Sequence, residues 1–535
     1  MAGTCSNREC RSRLGRLGGA LLCSPLLFSL LIFLSASVAL GENSRDALQK
    51  AAELVDKGRL EEADQQARLA LKDPQTRAVA CSVLGTIRFQ QKRLEESASL
   101  LQEAIRLNPH LLGAHLSLAE VYTLEGKRQR ALSLFRRVLT LDPSNTAARL
   151  ALARAETEKE NYRESLALAK PVLPKLKQSP DGLLVLATDF AKLQKTEAAA
   201  ALAQDWARLD HIPPPQWSIK FALLLADGGA VSEAVEVLER TKLAGLPSYE
   251  LAFNLAGAYA LKKDLARALD SYDEALALNS QSLPALRQAA DIAERRGELE
   301  RSLSYWLRAK KLEPEDPEIL LGFGRVCLKM DLLEDAEPAL TKAASLRPQD
   351  PQYQYTLAAA KTGKREFEAA EGLLQALLKT RQNDPQLQYA LGAVLYLEGH
   401  LKNAAAHLRE SVRLQADQVG SYYYLALVAR DQQDEPEAIR TLEQLLQRHP
   451  EHASAREALG TLLMSENHYA DAERNLEEAI RLNPKSVKAN YQLGLLLARM
   501  GKKNEADKQL EIAKSLRKED EETSHLQLRL LDPNQ

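Results

Sequence analysis

Three groups of residues in this chain have types and spacings that also occur in catalytic, metal-binding or ligand-binding sites. They are glycine–lysine pairs, histidine pairs and a regular series of tyrosines. The glycine–lysine pairs beginning at 126, 363 and 501 lack the upstream glycine and the following serine or threonine with which a phosphate-binding loop holds phosphate and Mg²⁺. The histidine pairs 400/407 and 449/452 do not have the spacing of a zinc site, and the Gly-x-Ser-x-Gly motif of a nucleophilic serine is missing. The sequence therefore predicts no cofactor, no metal site and no enzymatic activity.

The tyrosine series is the strongest candidate for a binding surface. Three tyrosines follow one another at intervals of 34 residues, and the series resumes after Glu457 interrupts it. A phenylalanine shares their register, and a further tyrosine lies seven residues after the second member. The predicted contact residues are Phe253, Tyr355, Tyr389, Tyr396, Tyr423 and Tyr491. Tyrosine offers a large contact area, few rotatable bonds and a hydroxyl that orients a ligand, so the series suits an extended peptide.

The elements that must position these residues follow from the same interval. Blocks of 34 residues begin at 44, 78, 112, 146, 180, 215, 249, 283, 317, 351, 385, 419, 453 and 487 and end at 520, with one extra residue in the block at 180. The eighth and twentieth residues of every block are small. They include Gly85, Ala119, Ala256, Gly324, Gly392, Gly460 and Gly494 at position 8 and Ala131, Ala268, Ala336, Ala404, Ala472 and Ala506 at position 20. Two helices of a hairpin approach closely only where such residues meet, so each block is predicted to be a helical hairpin.

These blocks resemble the tetratricopeptide repeat, a helix-turn-helix unit with small residues at positions 8 and 20, an aromatic or aliphatic residue at positions 11 and 24, and a closing proline. Tyr122 and Tyr259 occupy position 11, Phe135 and Trp306 occupy position 24, and Pro484 closes a block. The resemblance implies an all-α fold, a right-handed α-solenoid superhelix of about 14 stacked helix-turn-helix repeats. It also implies that positions 2, 5, 9 and 12 of each first helix line a concave groove that binds a protein partner.

The resemblance leaves a second explanation for the tyrosine series, because tyrosine is common at position 5 of this family. The recurrence would then reflect ancestry and packing between repeats instead of a ligand. Asparagine at position 6, with which some members grip a peptide backbone, occurs only as Asn254. The clamp that other members use for a carboxyl terminus does not assemble. We therefore do not expect recognition of chaperone carboxyl termini.

The amino-terminal segment 1–41 is predicted to be a signal peptide or a signal anchor. Four arginines between 8 and 16 precede an uncharged stretch from 17 to 41, within which Ser37-Val38-Ala39 offers a cleavage site. The stretch is also long enough to remain as a single-pass membrane anchor. In both cases we expect an extracytoplasmic array, either periplasmic or secreted or anchored in the inner membrane, because the arginines stay on the cytoplasmic side.

Charge and cysteine content argue against several other functions. The 71 basic and 73 acidic residues leave a net charge of −2, so no field of one sign draws in nucleic acid. Cys81 and Cys327, the two cysteines beyond the leader, lie about seven repeats apart. They cannot form a disulfide in a stacked array, and both are expected to be small buried residues.

The repeats are expected to form several segments beyond the leader. These are N-terminal repeats 1–4 at 42–179, degenerate repeats at 180–248 that form a joint, C-terminal repeats 7–14 at 249–520, and a tail at 521–535. The prolines at 171, 174, 180 and 213–215 are expected to interrupt the second helices of the blocks between 146 and 248. The leucine-rich tail is expected to cap the last repeat or, alternatively, to act as a docking peptide.

The sequence therefore favours a binding protein. We expect an exported or membrane-tethered scaffold for protein–protein interactions, which holds a partner segment in its groove and assists the assembly of an envelope or secretion complex. The alternative is an accessory subunit of an exopolysaccharide or glycosyl-transfer system that contacts glycan or synthase, because a row of tyrosines also stacks well on sugars.

Overall fold

A computed structural model describes residues 42–245 and 247–522, with side chains described for 44–245 and 247–517. Throughout these ranges the only regular structure is helical, which confirms the all-α fold. The chain divides after Gly245 into an N-terminal unit and a C-terminal unit. None of the described helices is long and apolar enough to cross a membrane. The predicted leader at 1–41 and most of the predicted tail lie outside the described residues.

The N-terminal unit consists of six hairpins. Its helices are α1 (Glu42–Asp56), α2 (Leu60–Ala70), α3 (Arg77–Gln90), α4 (Leu94–Leu107), α5 (Leu112–Leu124), α6 (Arg128–Leu141), α7 (Thr146–Glu158), α8 (Tyr162–Ala169), α9 (Leu173–Leu176), α10 (Pro180–Lys192), α11 (Thr196–Ala207), α12 (Pro215–Asp227) and α13 (Val231–Ala244). A 3₁₀ turn, Lys170–Val172, joins α8 to α9. Each second helix packs on its own first helix and on the first helix that follows within the unit.

The C-terminal unit consists of eight hairpins with the same packing. Its helices are α14 (Tyr249–Leu261), α15 (Leu265–Leu278), α16 (Leu283–Arg295), α17 (Leu299–Leu312), α18 (Pro317–Lys329), α19 (Leu333–Leu346), α20 (Pro351–Gly363), α21 (Phe367–Thr380), α22 (Pro385–Leu397), α23 (Leu401–Leu414), α24 (Val419–Asp431), α25 (Glu435–Arg448), α26 (Ala453–Ser465), α27 (Tyr469–Leu482), α28 (Val487–Arg499) and α29 (Lys503–Glu522). The first helix of every one of these hairpins begins at the block start read from the sequence.

The small residues at positions 8 and 20 mark the closest approach of the two helices, as predicted. A β-carbon on Gly392 would lie 2.7 Å from Cγ of Leu408 and 3.2 Å from the carbonyl oxygen of Ala404, within the same hairpin. Where position 20 is serine, its hydroxyl fills the same space and bonds across the hairpin: Ser97 Oγ donates to the carbonyl oxygen of Gly85 at 2.7 Å. The helices are therefore too close for a larger side chain at either position.

The turn between the two helices has one fixed backbone requirement. Position 15 has a positive φ in all fourteen hairpins, with glycine at six of them and a side-chain-bearing residue at the other eight. Glycines 126 and 501 of the glycine–lysine pairs take this role, because glycine adopts the left-handed region without steric cost. The glycine at 363 does not, since it is the last residue of α20, and Arg365 adopts the positive φ instead.

Of the six prolines expected to interrupt helices, two do and four do not; Pro213 and Pro214 lie in the loop before α12. Pro171 and Pro174 break the second helix of the fourth hairpin into α8, the 3₁₀ turn and α9. Pro180 and Pro215, in contrast, are the first residues of α10 and α12. The expectation that they interrupt helices was wrong, because the first helical position needs no N–H partner and suits the fixed φ of proline.

Candidate functional site

Position 5 of a first helix lies against the beginning of the next first helix in the C-terminal unit. The hydroxyl oxygen of Tyr355 accepts a hydrogen bond from Nε2 of Gln386 at 2.7 Å. In the same geometric relation, Glu457 pairs with Nζ of Lys488 at 2.7 Å. Gln386 and Lys488 both occupy position 2 of the following hairpin, so position 5 lies in the seam between successive repeats. The tyrosines of the series are therefore partly covered by their neighbours.

Tyr389 is covered completely and is a correction to the predicted contact set. It has no exposed surface, and its ring lies directly over Gly420 of the next first helix. The ring of Tyr424 packs edge-on against it with centroids 6.1 Å apart. A side chain without exposed area cannot touch a ligand in this conformation, because the following repeat occupies that space. Tyr389 instead fills the core between α22 and α24.

Three tyrosines next to it remain partly accessible and form what we call the tyrosine cluster: Tyr396, Tyr423 and Tyr424, each half-buried. The ring of Tyr424 packs edge-on against Tyr396 at 5.5 Å and against Tyr423 at 5.9 Å between centroids. On the far side, the imidazole of His452 lies 5.7 Å from the ring of Tyr423. Edge-to-face packing of this kind holds each ring in a fixed orientation, so the cluster is a rigid aromatic surface on α22 and α24.

Charged groups border the tyrosine cluster at one side. The hydroxyl of Tyr396 donates a hydrogen bond to Oδ2 of Asp431 at 2.7 Å and accepts one from the guanidinium of Arg430 at 3.2 Å. Burial, followed by the negative charge of Asp431, raises the pKa of Tyr396 above its ordinary value. Burial likewise raises the pKa of Tyr355 to about 12. These phenols stay neutral at physiological pH and provide stacking surface and hydrogen bonds.

The two ends of the series differ from its middle. Phe253 is half-buried between the rings of Tyr249 and Tyr272, at 5.8 and 5.7 Å. Tyr491 is 48% exposed. No further first helix follows α28 in the described part of the chain, so nothing covers position 5 of the last hairpin as Gln386 covers Tyr355.

A charged stretch separates Phe253 from the other aromatic residues. Arg325 on α18 bonds to Asp291 at 3.2 Å and to Glu294 at 2.7 Å on α16, and Lys329 also bonds to Glu294 at 3.0 Å. Burial opposes ionisation of Glu294, but the hydrogen bonds and charges of Arg325 and Lys329 hold the pKa of this carboxyl below its ordinary value. The face formed by the first helices is thus charged at α16 and α18 and aromatic from α20 to α24.

Several residues of this site were missed in the sequence. Tyr424, Asp431 and His452 lie outside the positions that the repeat assigns to the groove, whereas Arg430 occupies position 12 but is not aromatic. The run Ser421–Tyr424, which contains three tyrosines in succession, is a visible signal that this hairpin is unusual. The repeat template hides it, because Tyr422 and Tyr424 occupy positions 4 and 6, to which the template assigns no particular residue type.

The described residues include no group of three or more histidine, cysteine or acidic side chains that could hold a metal ion. Cys81 and Cys327 are buried free thiols, as expected, and burial raises the pKa of Cys327 to about 12. His452 is half-buried, and its Nδ1 accepts a hydrogen bond from the backbone N–H of Ala455 at 3.0 Å.

Successive hairpins of this geometry define a helical repeat protein. Two tetratricopeptide repeat family models match the sequence, one over residues 122–188 and the other over 220–282, 287–351, 355–419, 423–467 and 457–513. The matches span more than half of the chain, which therefore belongs to the tetratricopeptide repeat family. Repeats of this family imply a scaffold for protein–protein interactions. A comparison with curated protein sequences finds no match.

The chain is also similar to several solved structures. The chain is similar to a tetratricopeptide repeat protein from Parabacteroides merdae, with 19% identity over 47% of this chain and 98% of that one and a TM-score of 0.41. It is also similar to a chain of the APC/C hetero-tetramer Cut9-Hcn1, with 15% identity, coverage of 92% and 97%, and a TM-score of 0.39. Yeast Tom70 gives 16% identity, coverage of 89% and 96%, and a TM-score of 0.37. The likeness concerns the fold alone.

Proposed function

We propose that this chain is a non-enzymatic scaffold that holds a segment of a partner protein on the first-helix face of its C-terminal unit. The tyrosine cluster is the observation that carries the proposal. Its rings are fixed by edge-to-face packing but retain exposed surface, and Arg430 and Asp431 beside it supply charged hydrogen-bonding groups. Rigid tyrosines bordered by an arginine are typical of residues that dominate the binding energy of an interface.

The cluster fits a peptide better than a small molecule, because its rings lie on two neighbouring first helices and so suit a ligand that extends from one hairpin to the next. An extended segment crossing α22 and α24 would contact Tyr396 and Tyr423 in turn. Tyr491 on α28, two hairpins further on than Tyr423, offers an additional exposed ring. Because these side chains are already held in place, binding freezes few of their rotatable bonds.

The test is recovery of partners by crosslinking and pull-down from membranes with wild-type protein and two variants. The double variant Tyr396→Ala/Tyr423→Ala removes the exposed part of the cluster. Tyr469→Ala is the matched control, since Tyr469 is a half-buried tyrosine on the second helix α27. Loss of two interface tyrosines is expected to weaken binding by about tenfold or more, whereas the control variant recovers the partner normally. Recovery of no partner, or equal recovery by all three proteins, contradicts the proposal.

We further propose that the array works outside the cytoplasm, either released or tethered by segment 17–41, and assists assembly of an envelope or secretion complex. The arginine-preceded apolar leader supports export. Fusion of alkaline phosphatase, which is active only after export, to the carboxyl terminus tests the location. We expect activity from the full chain and none after deletion of residues 1–41. Equal activity of both fusions would overturn the proposed location.

A glycan partner is the second candidate, because the partly exposed ring of Tyr423 and the exposed ring of Tyr491 could stack on sugar rings. In that case the chain would be an accessory subunit of an exopolysaccharide or glycosyl-transfer system, and glycan or synthase would be its partner. A glycan array probed with wild-type protein and with Tyr423→Ala/Tyr491→Ala separates the two functions. Tyrosine-dependent glycan binding favours this second function, and its absence favours the peptide.

A further inference from the structure

Glu120 on α5 differs from the other charged residues at position 9 of the first helices. In the C-terminal unit, Asp291 and Arg325 occupy this position and pair with each other. In the N-terminal unit, Arg154 occupies it on α7 and pairs with Asp181 at the start of α10. Glu120 is half-buried, yet no described side chain forms a hydrogen bond or an ion pair with it.

The neighbouring helices explain why Glu120 has no partner. The corresponding residues of the preceding first helix α3 are Thr86 at position 9 and Phe89 at position 12, and neither carries a charge. The ion pairs formed on the elements around α5 join other residues: Arg77 and Arg106 with Glu103, Arg88 with Asp64 and Glu96, Lys127 with Glu125, Arg128 with Glu158, and Arg154 with Asp181. Arg130 on α6 lies over the ring of Tyr122. Burial alone raises the pKa of Glu120, to about 7.

An unpaired carboxyl in such surroundings is costly, because burial disfavours its charged form and no protein group compensates. A partly buried ionisable group without a counterion is characteristic of a binding site, where a ligand supplies the missing partner. The same face of α5 offers apolar surface one turn away, since Leu124 is 55% exposed and residues four apart on a helix are neighbours. A carboxyl and an exposed leucine together match the charged end and the alkyl stem of a long cationic side chain.

We infer that Glu120 and Leu124 form a second binding site, in the N-terminal unit, for a protein segment that presents a lysine or arginine beside an apolar residue. The cation pairs with the carboxylate of Glu120, and the stem of the side chain covers Leu124. The carboxyl of Glu120 must be ionised to bind the cation. Binding to a chain in which Glu120 is protonated therefore releases a proton. Affinity for a cationic segment therefore rises with pH, while the cation itself keeps its charge.

The test uses the full chain and pools of short peptides that are randomised over apolar residues around one fixed central residue. The central residue is lysine, arginine, glutamine or norleucine, and binding is measured at pH 8 and pH 6. For a carboxyl with a pKa of about 7, the ionised fraction falls about tenfold between these pH values. The lysine and arginine pools should bind about tenfold more weakly at pH 6, and the other two pools should show no pH dependence.

Three variants complete the experiment. Glu120→Gln should remove the preference for cationic pools, and Glu95→Gln, which alters an exposed glutamate on α4, should retain it. Thr123→Lys places a cation on the neighbouring turn and should occupy Glu120 from within the chain, so it too should lose the preference. The thermal midpoints of all variants report folding separately. Absence of a preference for cationic pools in the wild-type chain at pH 8, or an equal preference in the Glu120→Gln chain, overturns the inference.

Discussion

The ring of Tyr389 lies where a side chain on residue 420 would have to be. A β-carbon on Gly420 would come within 2.5 Å of Cε2 and 2.9 Å of the hydroxyl oxygen of Tyr389. Contacts of this length do not occur, so the next first helix reaches its position only because residue 420 is glycine. The tyrosine that the repeat pattern assigns to a ligand is thereby a determinant of how two hairpins stack.

We expect Gly420→Ala to destabilise the C-terminal unit by about 1–3 kcal/mol, because the added methyl overpacks a filled core. Urea unfolding followed by circular dichroism measures the change. Gly372→Ala is the control: no atom would lie within 4 Å of its β-carbon, so the substitution should stabilise α21 by about 0.5–1 kcal/mol. A cavity opened by Tyr389→Leu should relieve part of the Gly420→Ala defect, and equal effects of the two alanines would contradict the packing described.

Tyr355 and Tyr491 occupy the same repeat position but should respond differently to truncation. Tyr355→Ala removes a half-buried ring from a seam between repeats and should cost about 2–4 kcal/mol. Tyr491→Ala alters a ring that is 48% exposed and should change stability by less than about 0.5 kcal/mol. Tyr355→Phe, which removes the hydroxyl that accepts a hydrogen bond from Gln386, should cost about 0.5–1.5 kcal/mol. Similar losses for both alanine variants would show that the seam does not depend on position 5.

Asp189 should make the stability of the N-terminal unit depend on pH. It has no exposed surface, and its carboxylate accepts hydrogen bonds from Ser165 at 2.6 Å and Thr157 at 2.7 Å. Burial raises its pKa from 3.8 to about 6 although the hydroxyls oppose the shift. Since the folded state binds the proton more tightly than the unfolded chain, the associated stability is fully present below pH 4 and is lost as pH rises through 6.

Asp189→Asn tests this expectation, because asparagine has nearly the same shape and does not ionise. The free energy of unfolding of the wild-type chain, relative to the variant, should fall by about 3 kcal/mol between pH 4 and pH 7. Measuring the difference between the two proteins cancels the titration of other groups. A difference that stays constant with pH would mean that Asp189 has the same pKa in the folded and unfolded states.

The ion pairs of Arg325 should be necessary for stability, because Glu294 is buried and would otherwise lose its main counterion. The side chain of Glu294 is only 7% exposed, so Arg325→Met leaves a buried carboxylate with Lys329 as its remaining cation. The variant should lose about 3–5 kcal/mol of stability. Adding Glu294→Gln removes the uncompensated charge and should recover part of that loss. Thermal unfolding at pH 7 distinguishes the cases, and an Arg325→Met chain as stable as the wild type would refute the argument.

The pH dependence of the same pair has the opposite sign to that of Asp189. Because the pKa of Glu294 is lowered in the folded protein, its contribution is present above about pH 4.5 and is lost as pH falls through the lowered value. Acid titration of wild-type and Glu294→Gln proteins should show this loss in the wild type only. Equal acid sensitivity of both would assign the effect to other carboxylates.

The sequence predicted the hairpin register closely, but it did not show which of the repeated tyrosines are accessible. Small residues at positions 8 and 20, such as Gly392 and Ala404, act within a single hairpin, so a pattern in the sequence locates the helices directly. Pro180 and Pro215 were misjudged because the effect of proline depends on whether it stands inside a helix or at its first residue. Both prolines stand at block starts read from the sequence, so the register itself places them at the first position of a helix.

By itself the sequence determined the all-α repeat fold, the block boundaries and the burial of Cys81 and Cys327. The requirements behind these features are local: close backbone approach, a left-handed turn residue and apolar packing inside one repeat. Only the tertiary structure decided that Tyr389 is buried, that Tyr491 is exposed and that Glu120 lacks a counterion. Each of these outcomes depends on residues about one repeat away, and those residues differ from hairpin to hairpin although the register does not.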